Sequence, residues 1–211
     1  MQRDIYIVGA GTYGEVMLEF AELLGYRVKA FYDDKYKRPH TVMGIKVVDK
    51  FSNLNKHEIK GKKFIVAIGD NQVRYDLMNK INLSGGETPS LIHPSAIISS
   101  SAQIGKGVYI QANVNIWTKV KIDDYCIISP GVVIAHHSTI GKACLVSTLS
   151  GIGASIKIED KVFLGMNSTI VTGLQEVGKG STIGAGAVVL KDVEKESVYA
   201  GVPAKKIRNI N

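Results

Sequence analysis

From Ile98 to Ile170, every sixth residue is aliphatic. Ile98, Ile104, Ile110, Ile116, Ile122, Ile128, Ile134, Ile140, Val146, Ile152, Ile158, Leu164 and Ile170 follow one another with no break in phase. One extra residue near Gln175 to Val177 shifts the beat, which resumes at Val177, Ile183 and Val189. A helix repeats near 3.6 residues and a strand at 2, so a period of six is neither. It is the mark of a solenoid whose repeats bury their apolar residues only by stacking on neighbours. The geometry that satisfies it is a three-sided prism of short strands, eighteen residues to the coil. Two residues before each aliphatic position stands a second small or aliphatic one: Ala102, Val108, Val114, Val120, Cys126, Val132, Ser138, Cys144, Ser150, Ile156, Val162 and Ser168. Two apart on a strand means the same face, so both sets are expected inside. Residues 96–190 therefore predict about five coils of parallel β-helix. Gly105, Gly141, Gly153, Gly165 and Gly184 directly follow the aliphatic residue. There the chain turns a corner and the permissive glycine backbone is expected to serve.

The residues ahead of the solenoid read differently. Asp4 to Val8 is an apolar strand, Gly9-Ala10-Gly11-Thr12-Tyr13-Gly14 a glycine loop, Glu15 to Leu24 a helix by its apolar spacing, and Arg27 to Tyr32 a second strand ending in Asp33-Asp34. This β-α-β unit with G-x-G-x-x-G and a downstream acidic residue matches the dinucleotide-binding pattern. Glycines there let the backbone approach phosphate oxygens at a helix N-terminus. A further strand over Lys63 to Ile68, the turn Gly69-Asp70-Asn71, a helix over about Gln72 to Ile81 and a last strand toward Leu91 follow. The unit lacks the second mononucleotide half that a dinucleotide needs. A nucleotide or nucleotide sugar is therefore the better ligand, with a structural cap or NAD as the alternatives.

Composition narrows the class further. At 211 residues with 45% hydrophobic content, the chain suits one or two globular domains. No apolar run reaches the length that crosses a bilayer, and the start lacks a signal-peptide core, so a cytoplasmic protein without membrane insertion is expected. Cys126 and Cys144 fall on inward positions one coil apart and read as reduced core thiols. The net charge of +7 gathers before the solenoid, at Lys35, Lys37, Arg38, Lys56, Lys60, Lys62 and Lys63, and near the C-terminus. It suits anionic small molecules or a solvated surface; with no basic stripe interleaved with aromatics, nucleic acid is not expected.

Two of the five histidines, His136 and His137, stand together in the middle of the repeat. Counted from the inward Ile134, His136 lies at a corner of the prism with its ring outward. A solvated turn histidine is one reading. A residue in a groove where neighbouring chains of a closed cyclic oligomer meet is the other.

The sequence resembles the sugar acyltransferase family that contains bacterial sialic acid O-acetyltransferases and UDP-4-amino-sugar N-acetyltransferases. The resemblance rests on I-V-G-A-G-T-Y-G, F-Y-D-D, V-A-I-G-D-N-x-x-R ending at Arg74, L-I-H-P-S-A at 91–96, I-A-H-H-S-T-I-G at 134–141, F-L-G-M-N-S at 163–168, I-G-A-G-A-V-V at 183–189 and A-G-V-P-A-K at 200–205. It covers nearly the whole chain. It implies a Rossmann-like nucleotide-sugar-binding domain over 1–90, then a left-handed parallel β-helix acyltransferase domain over 91–211. It also implies a homotrimer with active sites between adjacent solenoids, acetyl-CoA as co-substrate, and no metal.

By position, His136 matches the family's catalytic histidine, a general base whose ordinary pKa of about 6.5 suits the task. Acetyl-CoA would lie against Gly153, Ala154, Gly165, Met166 and Ala185, with Lys205 on its phosphates. The nucleotide sugar would use Gly11, Thr12, Tyr13, Asp33, Asp34, Gly69, Asp70 and Asn71. The implied reaction is N-acetylation of a nucleotide-linked 4-amino-4,6-dideoxy sugar. O-acetylation of a sialic-acid-like sugar and a non-catalytic nucleotide-sugar scaffold are the alternatives; a γ-type carbonic anhydrase would need three zinc histidines that the spacing does not supply.

The chain departs from the family pattern in places. Ala135 and His137 flank His136 where carboxylates are usual. Tyr13, Ser129 and Leu145 replace a small residue or histidine, an asparagine, and a histidine. With no insertion between Ile98 and Ile170, a partner for His136 is expected from a neighbouring coil such as Asp123 or Asp124, from another subunit, or from the substrate.

Overall fold

A computed structural model describes residues 3–35, 37, 38 and 40–210. Its contacts divide the chain into two compact units, Met1–Leu91 and Ile92–Asn211.

In the first unit, β1 (Arg3–Val8) leads into α1 (Thr12–Leu23) and β2 (Tyr26–Tyr32). A hairpin of β3 (His40–Val42) and β4 (Ile45–Asp49) follows, then α2 (Lys56–Ile59), β5 (Phe64–Val66) and α3 (Asn71–Leu83). The sheet order is β3-β4-β2-β1-β5, parallel except for the β3–β4 pair. Ile5, Ile7, Phe31, Phe64, Ile65 and Val66 are wholly buried, as expected of strands covered on both faces. Helix α1 buries Gly14, Met17, Leu18 and Ala21, the i, i+3, i+4, i+7 stripe that docks it on the sheet. Helix α1 starts three residues earlier than its apolar spacing predicts, because the glycine loop itself supplies the first turn.

The second unit is the expected prism. Its two-residue strands stack in three parallel sheets of six, five and six, and an antiparallel hairpin of Ser197–Ala200 with Lys205–Asn209 extends the last to eight. Register is eighteen residues, pairing Asn115 with Val133 and Lys121 with Thr139. It becomes nineteen where Lys157 pairs with Glu176, the extra residue being taken up after a bridge between Thr172 and Leu174. Both inward sets form one continuous core, from Val108 and Ile110 to Ile183 and Val189. Two stacked thiols and two hydroxyls use the same device. Cys126 and Cys144 donate to Gly141 O and Glu159 O at 3.0 Å, and Ser138 and Ser150 donate to Gly153 O at 2.7 Å and Gly165 O at 2.9 Å. A short polar side chain is thus accommodated inside by satisfying a corner carbonyl one turn on.

The corner glycines act by a different means from the one expected. Gly105, Gly141, Gly153, Gly165 and Gly184 do not take left-handed φ; that conformation falls two residues later, at Gly107 (φ 60), Ala143 (φ 54), Ser155 (φ 59), Asn167 (φ 54) and Gly186 (φ 68). Room is what they provide. A Cβ on Gly141 would lie 2.7 Å from Asp160 Oδ1, and one on Gly105 2.6 Å from Asp124 Oδ1. Those carboxylates accept the N–H of Lys142 and Lys106, each at 2.8 Å, so the glycine clears space for the next coil to cap the corner.

Candidate active site

In the first unit the glycine loop bends because Gly9 adopts φ 104, where a side chain would be strained and would meet Ala67 O. Gly11 is different: nothing lies within 4 Å of a Cβ built there, so the backbone is open to an approaching group. Gly11 is also the N-cap of α1 and gives it no side-chain cap, which leaves first-turn N–H groups for an anion. Thr12 is exposed beside it.

The acidic residues at the end of β2 are engaged with backbone. Asp33 accepts from Ala10 N at 2.8 Å and Lys35 N at 2.7 Å, and Asp34 accepts from Ser52 N at 2.8 Å. Asp33 therefore ties the second strand to the glycine loop.

On the other side, Asp70 caps α3 through Val73 N at 2.8 Å, leaving Gly69 exposed ahead of it. Asn71 Oδ1 accepts from Arg74 Nη2 at 2.8 Å, while Nη1 donates to Ile68 O and Gly69 O at 3.1 Å. Arg74, wholly buried, is thus the post that shapes the Gly69–Asn71 turn. The sequence reading gave Arg74 no role; an arginine four residues into a helix that opens on Asp-Asn was the available signal. Tyr13 lies near enough to Arg74 to sense its charge. Burial pushes its phenol up to about 12 against the opposing effect of that arginine, and its buried hydroxyl has no hydrogen-bond partner.

In the second unit, His136 and His137 are exposed at the corner following Val133–Ile134, stacked on Thr118 of the previous coil. His137 N donates to Thr118 O at 3.0 Å and Ser155 N to His136 O at 3.0 Å, so both peptides are held by the coils on either side. The pair overlooks a groove of about 480 Å³ lined by Ile97, Ser99, Asn115, Trp117 and Thr118. The Trp117 ring stacks on His136, centroids 6.4 Å apart and planes 27°. The sequence reading missed Trp117, although it stands nineteen residues, one coil and one position, before His136.

Neither aspartate expected as a neighbouring-coil partner for His136 lies at its corner. Asp123 and Asp124 occupy another corner, stacked on Gly105 and Lys106. At the histidine corner itself, His136 Nδ1 and His137 Nδ1 are 3.1 Å apart.

The residues expected along acetyl-CoA fall on two edges of one sheet face. Gly153 and Ala154 sit at the corner one coil beyond His136, whereas Gly165, Met166 and Ala185 line the corner at the opposite edge of the strands Gly151–Ile152 and Thr169–Ile170. Within one solenoid they do not share a corner. A Cβ on Gly153 would come 2.5 Å from Thr172 N and one on Gly165 2.6 Å from Ala185 N, so coil stacking already demands glycine at both. Lys205, exposed, opens the final strand opposite Ala200. Among the described residues, no group of three or more His, Cys, Asp or Glu could hold a metal ion, and no helix is long and apolar enough to cross a membrane.

Comparison with known proteins agrees with this layout. Residues 4–81 match the model of the PglD N-terminal domain and residues 87–175 that of the GMPPB C-terminal domain. The chain is 34% identical over 116 residues to the UDP-N-acetylbacillosamine N-acetyltransferase of Bacillus subtilis, an alignment that spans 52% of either protein. It thus covers about half the length of that curated relative. The crystal structure of PerB from Caulobacter crescentus in complex with CoA and GDP-perosamine superimposes with a TM-score of 0.88 at 32% identity over 96% of both chains. The acetyltransferase domain of PglB from Neisseria gonorrhoeae gives a TM-score of 0.75 at 27% identity, over 98% of this chain and 100% of that one. A Rossmann-like unit followed by a hexapeptide prism, matched end to end by a relative of that identity, fixes the assignment: the chain belongs to the sugar acyltransferase family of left-handed β-helix, hexapeptide-repeat transferases.

Proposed function

We propose that the protein transfers an acetyl group from acetyl-CoA to the amino group of a nucleotide-linked 4-amino-4,6-dideoxy sugar, with His136 as general base. The observation that carries this reading is an exposed histidine, partnered at Nδ1 and stacked on Trp117, at the rim of an open groove in the solenoid. It is supported by PerB, which binds CoA and GDP-perosamine and shares 32% of its residues with this chain. The amine nitrogen attacks the thioester carbonyl carbon, the C–S bond breaks, and the nitrogen's proton passes to His136 Nε2 and then to the departing thiolate. The products are the N-acetyl sugar and CoA.

The nucleotide is held at the open backbone of Gly11 and the bare N-terminus of α1, with Thr12, Tyr13, Asp33, Asp34 and Gly69 to Asn71 around it. Acetyl-CoA lies against Gly153, Ala154, Gly165, Met166 and Ala185, with Lys205 on its phosphates. Because these cofactor residues lie on two corners of one prism, adjacent solenoids of a homotrimer each supply one edge. Exposed Ile97, Trp117, Val133 and Leu149 fit that packing. The protein works in the cytoplasm.

The test is thiol release from acetyl-CoA with UDP-, dTDP- and GDP-linked 4-amino-4,6-dideoxy sugars, alongside light scattering. One of the sugars supports turnover, His136→Ala lowers it by about 10²- to 10⁴-fold, and the mass is that of a trimer. Near-normal turnover by His136→Ala refutes the base, and a monomer refutes the shared site.

A further inference from the structure

His136 and His137 meet through like atoms. Their Nδ1 nitrogens are 3.1 Å apart, with ring centroids at 5.2 Å and planes at 87°. Two bare nitrogens at that distance repel, and two N–H groups clash. The contact is a hydrogen bond only when one Nδ1 carries the proton and the other does not. The tautomers of the two rings are therefore coupled. If His136 Nδ1 accepts, its Nε2 bears the hydrogen and cannot serve as a base. If His136 Nδ1 donates, Nε2 is bare and available.

We propose that His137 is a positioning residue that accepts the Nδ1–H of His136 and so presents the bare Nε2 of His136 to the groove, the task a carboxylate performs in the usual pairing. This rests on His136 being the base, as read above. Three features of the fold hold the arrangement. His137 occupies the left-handed corner (φ 62) that Lys119 and Ser155 occupy one coil before and after. The peptide groups of the pair are pinned by Thr118 O and Ser155 N. The Trp117 ring lies roughly parallel to the His136 ring, with centroids 6.4 Å apart.

When Nε2 takes the substrate proton, the His136 imidazolium keeps its Nδ1–H on a neutral His137, and that bond becomes charge-assisted and roughly twice as strong. His137 thus stabilises the charged form without itself being an anion. Among the described residues no other ionisable side chain lines the groove, and the corner residues one coil either side, Thr118, Lys119, Ala154 and Ser155, contribute Lys119 alone.

The test uses the full-length protein and the variants His136→Ala, His137→Ala, His137→Asn and His137→Asp. Ala143, Asn113 and Asn167 already occupy equivalent left-handed corners, so alanine and asparagine are compatible with the fold. The first readout is independent of any acceptor sugar: side-chain ¹⁵N NMR of histidine-labelled protein above pH 8. It should find His136 as the Nδ1–H tautomer in the parent and as the commoner Nε2–H form in His137→Ala. An Nε2–H tautomer for His136 in the parent overturns the proposal.

The second readout is steady-state kinetics. His137→Ala should lower kcat by about 10- to 100-fold, the usual cost of a lost orienting partner, with KM for acetyl-CoA within about twofold. His137→Asn, whose Oδ1 stands where Nδ1 stood, should recover most of the loss. His137→Asp should recover it and move the acid limb of kcat/KM to higher pH, because a carboxylate favours the imidazolium. Parent-like kcat in His137→Ala with His136→Ala inactive sinks the positioning role and leaves the base standing. Turnover in His136→Ala sinks the base itself. Equal impairment of all three His137 variants marks a merely structural residue and also refutes the proposal.

Discussion

Alanine at Gly141 should destabilise the solenoid by an amount that the coil geometry sets. An added Cβ would sit 2.6 Å from Asp160 N and 2.7 Å from both Asp160 Oδ1 and Glu159 C. Carbon atoms prefer about 3.5–4.0 Å, so the next coil must withdraw by roughly 1 Å or the corner must deform. Two of the three contacts are backbone, whose position the strand pairing Thr139–Lys157 holds. No side-chain rotation relieves them. Overpacking of this kind costs about 1–3 kcal/mol. Withdrawal also breaks the bond from Lys142 N to Asp160 Oδ1 at 2.8 Å, worth about 1 kcal/mol in a part-exposed setting. The total is about 2–4 kcal/mol, which for a chain of this size lowers Tm by roughly 5–15 °C.

Gly151 is the internal control. It lies in a strand of the same solenoid, has no left-handed φ, and has nothing within 4 Å of a built Cβ. Gly151→Ala should leave Tm unchanged or raise it slightly, since a compatible Gly→Ala change adds up to about 1 kcal/mol of stability through the unfolded chain. Differential scanning calorimetry on the two variants separates the cases. Equal melting of Gly141→Ala and Gly151→Ala would show that the corner glycines are not there to make room.

Two further outcomes follow from the electrostatics and the buried hydroxyl. Glu159 accepts from Lys157 Nζ at 2.8 Å and from Lys179 N at 2.9 Å, and these bonds hold its carboxyl below the ordinary value of 4.5. A depressed carboxyl stabilises the fold above its unfolded pKa, and that contribution fades as pH drops below about 4.5 through the folded value; the melting difference between parent and Glu159→Gln should therefore shrink between pH 7 and pH 3, and a constant difference would contradict the linkage. Tyr13→Phe removes a buried hydroxyl that has no partner, so the free protein should melt a few degrees higher. Calorimetric titration with the acceptor nucleotide sugar should show weaker binding in the same variant, and unchanged binding takes the Tyr13 hydroxyl out of the site.

Much of the solenoid was legible residue by residue, because its core is one-dimensional. A six-residue period states which side chain is inside, and an eighteen-residue count states which residues stack, with no knowledge of any distant contact. That is why Ile134 could be placed inside and His136 at the corner over Thr118, and why Cys126 and Cys144 read as core thiols. The β-α-β start was legible for a similar reason: a glycine loop between an apolar strand and an amphipathic helix is a local pattern. The β3–β4 hairpin and α2 were not read, since the run between Asp34 and Lys63 carries no sustained period.

What the sequence determined by itself is therefore phase and placement: the prism, its inward faces, and a histidine pair at one corner. Only the tertiary structure decided how the two rings meet. Side-chain direction at a corner depends on backbone torsion and on the coils above and below, neither of which a repeat count contains. The left-handed turn at His137 brings its Nδ1 to that of His136, and Trp117 one coil back lies alongside the ring. The same cause reversed the account of the glycines. Seen along the chain they mark turns, whereas across the coils they mark the places where the next turn of backbone comes too close for a Cβ.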